Sequence, residues 1–168
     1  MDYFATAPED VVVLTSRGER VEGERKPSSE ADLHCLLYQS REDVNAVVHT
    51  HSTYATVLAC LRWPIEPIHY LVAYSGRDVP CIPYHPFGSL ELAEAARDAM
   101  GRDHNACLLG NHGLLAAGGS LSFAFDVAQQ TEFLAQVYYQ AKLAGGGVCL
   151  KPEELEEVLG KFQHYRKA

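Results

Sequence analysis

Two apolar runs, at residues 106–109 and 114–117, constrain the fold of this chain more than any other feature. A run of apolar residues that does not alternate with polar ones is typical of a strand buried on both faces. The polar triplet Asn111-His112-Gly113 lies between the two runs and has the composition of a turn. The pattern therefore predicts a buried strand pair with a polar turn between its strands.

Other segments predict helices and short strands around this pair. Helical patterns occur at residues 28–40, 52–61, 89–100, 120–144 and 151–165. Short strands are predicted at 11–14, 21–23, 45–48 and 79–83, and residues 68–74 fit either a strand or a helix. A length of 168 residues fits one domain with its own core, so we expect a single domain over residues 1–168.

Composition excludes several classes of partner. The chain has 22 acidic and 14 basic residues, so it offers no basic surface for nucleic acid or an anionic membrane. Its five cysteines are odd in number and widely spaced, which favours buried free thiols in a reducing compartment. The sequence predicts neither a signal peptide nor a membrane span. We expect a cytoplasmic protein that acts on a small polar molecule.

Three histidines form the main candidate for a metal site. His49 and His51 flank one residue at the end of a predicted strand, and alternate residues of a strand point to the same side. Such pairs also occur as ordinary surface or core histidines, so the pair alone is weak evidence. His112, in the turn between the apolar strands, supplies a third imidazole. Three protein ligands that leave a position open are typical of a catalytic zinc site.

The segment that opens the first predicted helix has two interpretations. Glu30 lies in the first turn, where a carboxylate stabilises the helix dipole, but it could also serve as a general base near a metal ion. Ser28 and Ser29 are candidate N-caps, or donors to a substrate phosphate. Tyr70 is a candidate proton donor if it reaches the substrate. The residues alone leave these alternatives open.

Several longer motifs follow one another along the chain. They are Glu24-Arg25-Lys26-Pro27-Ser28-Ser29-Glu30, Ala46-Val47-Val48-His49-Thr50-His51-Ser52, Pro67-Ile68-His69-Tyr70, Pro80-Cys81-Ile82-Pro83-Tyr84, Phe87-Gly88-Ser89 and Leu108-Leu109-Gly110-Asn111-His112-Gly113. In this order, and over essentially the whole chain, they resemble the class II aldolase/adducin family, within which the L-fuculose-1-phosphate aldolases are the most similar.

The resemblance implies both a fold and a reaction. The fold is an α/β domain with a mainly antiparallel central sheet flanked by helices. The resemblance also implies one Zn²⁺ per subunit, with Mn²⁺ or Co²⁺ as alternatives, held by His49, His51 and His112. Glu30 then acts as the acid/base in reversible cleavage of a phosphorylated ketose, foremost L-fuculose 1-phosphate. The products are dihydroxyacetone phosphate and L-lactaldehyde.

The resemblance extends to the quaternary structure. It implies a homotetramer with interfacial active sites, in which Tyr70 is a second proton donor that acts across a subunit boundary. Phe162 and Tyr165 match aromatic residues that close the site on the aldehyde, and Ser28 and Ser29 match the phosphate-binding region.

Other members of the family are alternatives. Ribulose-phosphate 4-epimerases are similar around the histidine pair but typically have Asp in place of Glu30. Methylthioribulose-phosphate dehydratases share the metal scaffold and the glutamate, whereas adducin-like interaction modules generally lack the complete histidine triad. The family usually begins with Gly-Asn-x-Ser and Thr-x-Ser-Gly elements that this sequence lacks. The domain is therefore expected to be N-terminally incomplete, by about 40 residues, relative to the family.

Overall fold

The computed structural model describes the backbone of residues 5–165 and the side chains of residues 5–162. The strands are β1 (Val13–Leu14), β2 (Arg20–Glu22), β3 (Ala46–Thr50), β4 (Cys81–Ile82), β5 (Ala106–Leu109) and β6 (Gly113–Gly118). The α-helices are α1 (Ala31–Ser40), α2 (Thr53–Leu61), α3 (Leu90–Met100), α4 (Leu121–Leu143) and α5 (Pro152–Tyr165). Short 3₁₀ helices lie at Pro8–Asp10 and Tyr70–Tyr74.

A four-stranded sheet with the strand order β3-β6-β5-β4 forms the centre of the molecule. The pairs β3-β6 and β5-β6 are antiparallel, and the edge strand β4 pairs with β5 in parallel. The sheet is thus mixed and mainly antiparallel, as expected. β5 and β6 are the predicted buried strand pair, while β1 and β2 form a separate two-stranded hairpin.

Side chains of β5 and β6 alternate between two hydrophobic cores. One core contains Ala106, Leu108, Leu114 and Ala116 and is completed largely by residues of α2 and α4. The other contains Cys107, Leu109, Leu115 and Ala117 and is completed largely by residues of α1 and α3. These strands are buried on both faces because helices cover both, which explains why their sequence shows no alternation.

The same alternation on β3 directs the first histidine. Val48 packs against the α2 and α4 core, whereas Val47 belongs to the α1 and α3 core. His49 lies two residues after Val47, so its side chain points to the face that α1 covers. Because Glu30 immediately precedes α1, the fold brings a carboxylate and an imidazole to the same end of that face.

Some predicted details differ from the structure. The N-cap of α1 is Glu30, not Ser28 or Ser29. The ambiguous segment forms the 3₁₀ helix Tyr70–Tyr74. Cys35 and Cys107 are buried as expected, but Cys60 and Cys149 are exposed. Within residues 5–165, no helix combines the length and apolar character needed to cross a bilayer.

Candidate metal centre

Four side chains from three parts of the fold converge at one end of the sheet. Glu30, His49, His51 and His112 each direct one potential ligand atom to a common point, and these atoms all lie within 4.8 Å of one another. The centroids of the three imidazole rings are 4.9 to 5.1 Å apart. The three histidines that the sequence suggested as ligands, together with the candidate base, therefore lie in one cluster.

His49 is oriented by a backbone carbonyl. Its Nδ1 lies 2.9 Å from the carbonyl oxygen of Leu114. Because a carbonyl can only accept, Nδ1 carries the hydrogen and Nε2 of the neutral ring presents a lone pair. That lone pair lies 3.0 Å from Oε2 of Glu30. An imidazole held by a carbonyl on one nitrogen and open on the other is a common arrangement for a metal ligand.

The buried polar atoms of this pair lack hydrogen bonds. Neither Nε2 of His49 nor Oε1 of Glu30 has a hydrogen-bond partner, although both atoms are inaccessible to solvent. Nε2 of His49 lies 3.0 Å from the other oxygen, Oε2, of Glu30, and two unprotonated acceptors at this distance repel each other unless positive charge lies between them. A set of three imidazoles and one carboxylate therefore fits a divalent cation, and its nitrogen-rich chemistry suits a transition metal better than Mg²⁺ or Ca²⁺.

His51 follows the last residue of β3 and is the exposed member of the cluster. Its ring lies against the backbone of Gly113, the first residue of β6. A β-carbon at Gly113 would overlap the carbonyl oxygen of Thr50 and approach Cδ2 of His51 to 3.0 Å. The close approach of the two strands at this point thus requires glycine.

His112 is held by the turn that precedes β6. Asn111 adopts a left-handed backbone conformation with φ of 57°, and its backbone N–H donates to the backbone carbonyl of Ala59 near the end of α2. Its side-chain oxygen accepts two bonds from Arg62, at 3.0 and 3.1 Å. Burial lowers the pKa of the His112 imidazole, an effect that the charge of Glu30 opposes, and the neutral ring is the form that binds metal.

Glu30 is held by the local turn before α1. Its backbone amide donates to Oγ of Ser28 at 3.2 Å, and its side chain is 13% exposed. Ser28 also lines a cleft with Arg25 and Lys26, between the β1-β2 hairpin and α1. Ser29 packs against Gly88, where a β-carbon would lie 2.9 Å from the carbonyl oxygen of Ser29. Both serines thus lie beside the base.

The remaining predicted residues lie elsewhere in the chain. Tyr70 is 51% exposed, its ring lies tilted against that of His69 with centroids 4.7 Å apart, and it lines a cleft with Phe162. The ring of Phe162 packs edge-on against Tyr74. The side chain of Tyr165 lies outside the described residues. The structure therefore brings the three histidines and Glu30 together, whereas the described side chains of Tyr70 and Phe162 line a different cleft.

Sequence reasoning assigned no role to His34, which lies near the cluster. Burial lowers the pKa of the His34 imidazole, the charge of His49 lowers it further, and Glu30 opposes both effects. The spacing of four residues from Glu30 is the signal that could have indicated its position, because residues i and i+4 share a helix face. Asn111 and Arg62 were also missed, because their contact joins distant parts of the chain.

Known proteins are similar to this chain in both sequence and fold. A 5-deoxy-D-ribulose 1-phosphate aldolase of Bacillus thuringiensis serovar kurstaki is 48% identical over 165 residues, which is 98% of this chain and 77% of that protein. An L-fuculose phosphate aldolase of Haemophilus influenzae is 39% identical over 98% of this chain and 76% of its own length.

A solved structure of an L-fuculose 1-phosphate aldolase superposes with a TM-score of 0.94. It is 44% identical in sequence, over 97% of this chain and 76% of that one. The model of the family described as Class II Aldolase and Adducin N-terminal domain matches residues 1–139. The metal cluster lies entirely within the matched region. This chain belongs to the class II aldolase and adducin N-terminal domain family.

Proposed function

We propose that this chain is a metal-dependent aldolase that cleaves a ketose 1-phosphate to dihydroxyacetone phosphate and an aldehyde. The observation that carries the proposal is the facing pair of acceptors, Nε2 of His49 and Oε2 of Glu30, 3.0 Å apart. Oε2 of Glu30 thus faces the proposed cation site. Its other oxygen, Oε1, makes no hydrogen bond and is available for proton transfer.

Zn²⁺ is the proposed cation, held by His49, His51 and His112. Neutral imidazoles suit zinc, and Mn²⁺ or Co²⁺ are chemically reasonable substitutes. A bound divalent cation would supply a Lewis acid that stabilises negative charge on the ketose oxygens. This chemistry replaces the Schiff base that a lysine-dependent aldolase forms.

Glu30 is the proposed acid/base. In the cleavage direction the hydroxyl on C4 loses its proton, the C3–C4 bond breaks, and its electron pair stays with the fragment that contains C3. Glu30 then delivers a proton to C3 to give dihydroxyacetone phosphate, and it removes the same proton in synthesis. The buried position of its side chain limits competing exchange of this proton with water.

Two ketose phosphates are the leading substrates. The relative with 48% identity is named for 5-deoxy-D-ribulose 1-phosphate, and several named for L-fuculose phosphate are 39 to 44% identical. Both sugars have an apolar methyl end, and cleavage gives acetaldehyde from the first and lactaldehyde from the second. The higher identity makes 5-deoxy-D-ribulose 1-phosphate the first substrate to test, so L-fuculose 1-phosphate stays a prediction from the sequence.

The rest of the site is proposed to come from phosphate contacts and a neighbouring subunit. Ser28 and Ser29 would bind the phosphate, supported by Lys26, which lines the cleft beside Ser28; Arg25 in the same cleft is paired with Asp10. Tyr70 would donate or accept the proton of the C4 oxygen, and Phe162 would cover the aldehyde, both in the site of a second subunit of a homotetramer. Tyr165 is assigned to the same surface from the sequence alone.

The experiment that tests this function combines metal analysis with turnover. Wild-type protein and His112→Ala are purified and their metal content is measured by elemental analysis. Release of dihydroxyacetone phosphate from both ketose phosphates is then followed with a coupled assay. We expect about one zinc per wild-type chain, its loss in the variant, and turnover only with the wild type.

Other outcomes favour the other family members. Bound zinc with conversion of the ketose phosphate to its epimer, or with loss of water, would identify a 4-epimerase or a dehydratase. Bound zinc without any turnover would favour an adducin-like interaction module. Wild-type protein that binds no divalent cation would contradict the proposal.

A further inference from the structure

The first turn of α2 is capped from a distant helix. α2 begins at Thr53, two residues after His51, and the side chain of its N-cap Ser52 makes no capping hydrogen bond. Instead Glu132 of α4 accepts from the backbone amide of Tyr54 through Oε1 and from that of Ala55 through Oε2, both at 2.8 Å. One carboxylate thus satisfies two of the free amides at this helix end.

These two amides are the ones that a local N-cap side chain normally takes. The hydroxyl of Ser52 is engaged differently, because it accepts from Oγ1 of Thr50 at 3.2 Å. An ionised acceptor makes stronger bonds than a hydroxyl and also interacts favourably with the helix dipole. Glu132 therefore supplies the N-terminal cap of α2 that the side chain of Ser52 does not provide.

Glu132 lies on a well-packed part of α4. Its neighbour Thr131 is completely buried, donates to the carbonyl of Val127 at 2.7 Å, and contacts the hydroxyl of Ser75 at 2.9 Å. α4 also packs against β3, β6 and α2. The carboxylate thus connects the start of α2 to the helix that crosses the central sheet.

Of the two histidines on this segment, only His51 depends on the connection between α4 and the start of α2. His49 lies within β3 and its ring is fixed by the carbonyl of Leu114. His51 lies between the end of β3 and the start of α2, and no hydrogen bond from the described residues holds its exposed ring. The position of His51 is therefore set by its backbone, one end of which is fixed by the capped turn.

We propose that Glu132 is a positioning residue for the metal centre. Its carboxylate fixes the first turn of α2 and so holds His51 where its ring can share a cation with the other donors. The inference rests on the proposed function only in that it requires the cluster to bind a metal ion. It assigns Glu132 no contact with the ion or the substrate.

The test measures metal affinity rather than activity. Apoprotein is titrated with Co²⁺ and then with Zn²⁺ in competition with a chelator, and the visible d–d absorption of bound Co²⁺ is recorded. Glu132→Gln keeps the shape but can accept at most one of the two bonds. We expect the affinity to fall by about tenfold or more and the Co²⁺ spectrum to change.

The matched control is Ser120→Ala, which removes the N-cap of α4. Oγ of Ser120 accepts from the amide of Phe123 at 3.2 Å, and this cap lies beyond the end of β6 that pairs with Ala46, away from His49. Both substitutions remove a helix cap, so both should lower the melting temperature of the apoprotein. Only Glu132→Gln should change the metal affinity and the spectrum.

The outcomes distinguish a failure of the proposed function from a failure of the positioning role of Glu132. Wild-type protein that binds neither Co²⁺ nor Zn²⁺ overturns the proposed function. Wild-type affinity in Glu132→Gln, with stability lowered as in Ser120→Ala, overturns the positioning role alone. Glu132→Asp keeps the charge on a shorter side chain and carries the test if the glutamine variant does not fold. It should also bind more weakly, and wild-type affinity there would overturn the role as well.

Discussion

At the scale of single residues, the geometry of the candidate metal centre depends on Gly113, although glycine has no side chain that could bind a cation. Gly113 has a backbone conformation open to other residues, because its φ is not among the positive values. The constraint is the space beside it, which the carbonyl of Thr50 and the ring of His51 occupy. A side chain there would push β3 and β6 apart where two of the candidate ligands are attached.

Gly113→Ala should therefore weaken both the fold and the metal site. We expect a loss of about 1–3 kcal/mol in the free energy of unfolding and a weaker Co²⁺ affinity, because the methyl group overpacks a buried position. Gly119→Ala is the control, since its β-carbon would lie 3.4 Å from the nearest atom, the carbonyl oxygen of Asp43. Urea unfolding and Co²⁺ titration check both variants. Equal behaviour of the two would refute the steric argument.

At the scale of elements, a buried arginine joins the end of α1 to the turn before β5. Arg41 is 5% exposed and bonds the carbonyl of His104 at 2.6 Å and Oδ1 of Asn105 at 3.1 Å. It also pairs with the largely exposed Asp43 at 2.6 Å. The hydrogen bond from Arg41 lowers the pKa of the Asp43 carboxyl below its ordinary value of 3.8.

This lowered pKa gives the pair a defined pH dependence. A carboxylate with a depressed pKa in the folded state stabilises the protein above its ordinary pKa, and the contribution is lost as the pH falls through the folded-state value. Asp43→Asn should therefore cost about 1 kcal/mol or less at pH 7 and progressively less below about pH 4. Urea unfolding of both metal-free proteins from pH 7 to pH 3 measures the difference. A constant difference would show that the charge is not responsible.

The same scale shows which elements a sequence can predict. β5 and β6 were predicted because a strand buried on both faces has an unmistakable apolar run. The helices over residues 89–100 and 120–144 were also predicted, and in the structure Ser89 and Ser120 cap them, each accepting from an amide three residues later. The parallel pairing of β4 was not predicted, because its two residues Cys81 and Ile82 contain no signal for direction.

How much of the candidate site the sequence indicates depends on how local the contacts of each residue are. The common direction of His49 and His51 follows from alternation along an extended segment, which is a local property. The cap that Glu132 provides for α2 spans 78 and 77 positions of sequence, so no local pattern indicates it. Two adjacent serines before Glu30 also made the N-cap of α1 ambiguous. Residues that act through distant contacts were therefore missed.

At the scale of the whole molecule, large apolar side chains remain exposed on the single chain. They are Leu61, Trp63, Leu121, Phe125, Phe133, Leu143 and Val148, which are 39 to 91% exposed. Leu61, Trp63 and Leu143 line one cleft, and Phe125 and Phe133 line another. Grouped exposed apolar side chains are typical of a protein–protein interface. Together with the position of Tyr70 in a separate cleft with Phe162, they support the proposed homotetramer.

If neighbouring subunits share active sites as proposed, two inactive variants should complement each other. Glu30→Gln should lower turnover by about 100-fold or more because it removes the proposed acid/base, and Tyr70→Phe should also lower it. In mixed oligomers, roughly a quarter of the sites would combine an intact Glu30 with an intact Tyr70 from the neighbour. Activity assays of the co-expressed variants measure this recovery. No gain over the separate variants would place each complete site within one chain.

The hydrogen bond between His49 and the carbonyl of Leu114 closes a loop of 65 positions. Contacts this far apart in sequence form slowly, because the chain must first lose the entropy of the intervening segment. The candidate donors for a cation come together only when β3 pairs with β6. A cation that binds the assembled donors would therefore stabilise the native state over the unfolded chain. It would speed folding to the extent that the β3–β6 pair is already formed in the transition state, and slow unfolding to the extent that it is not.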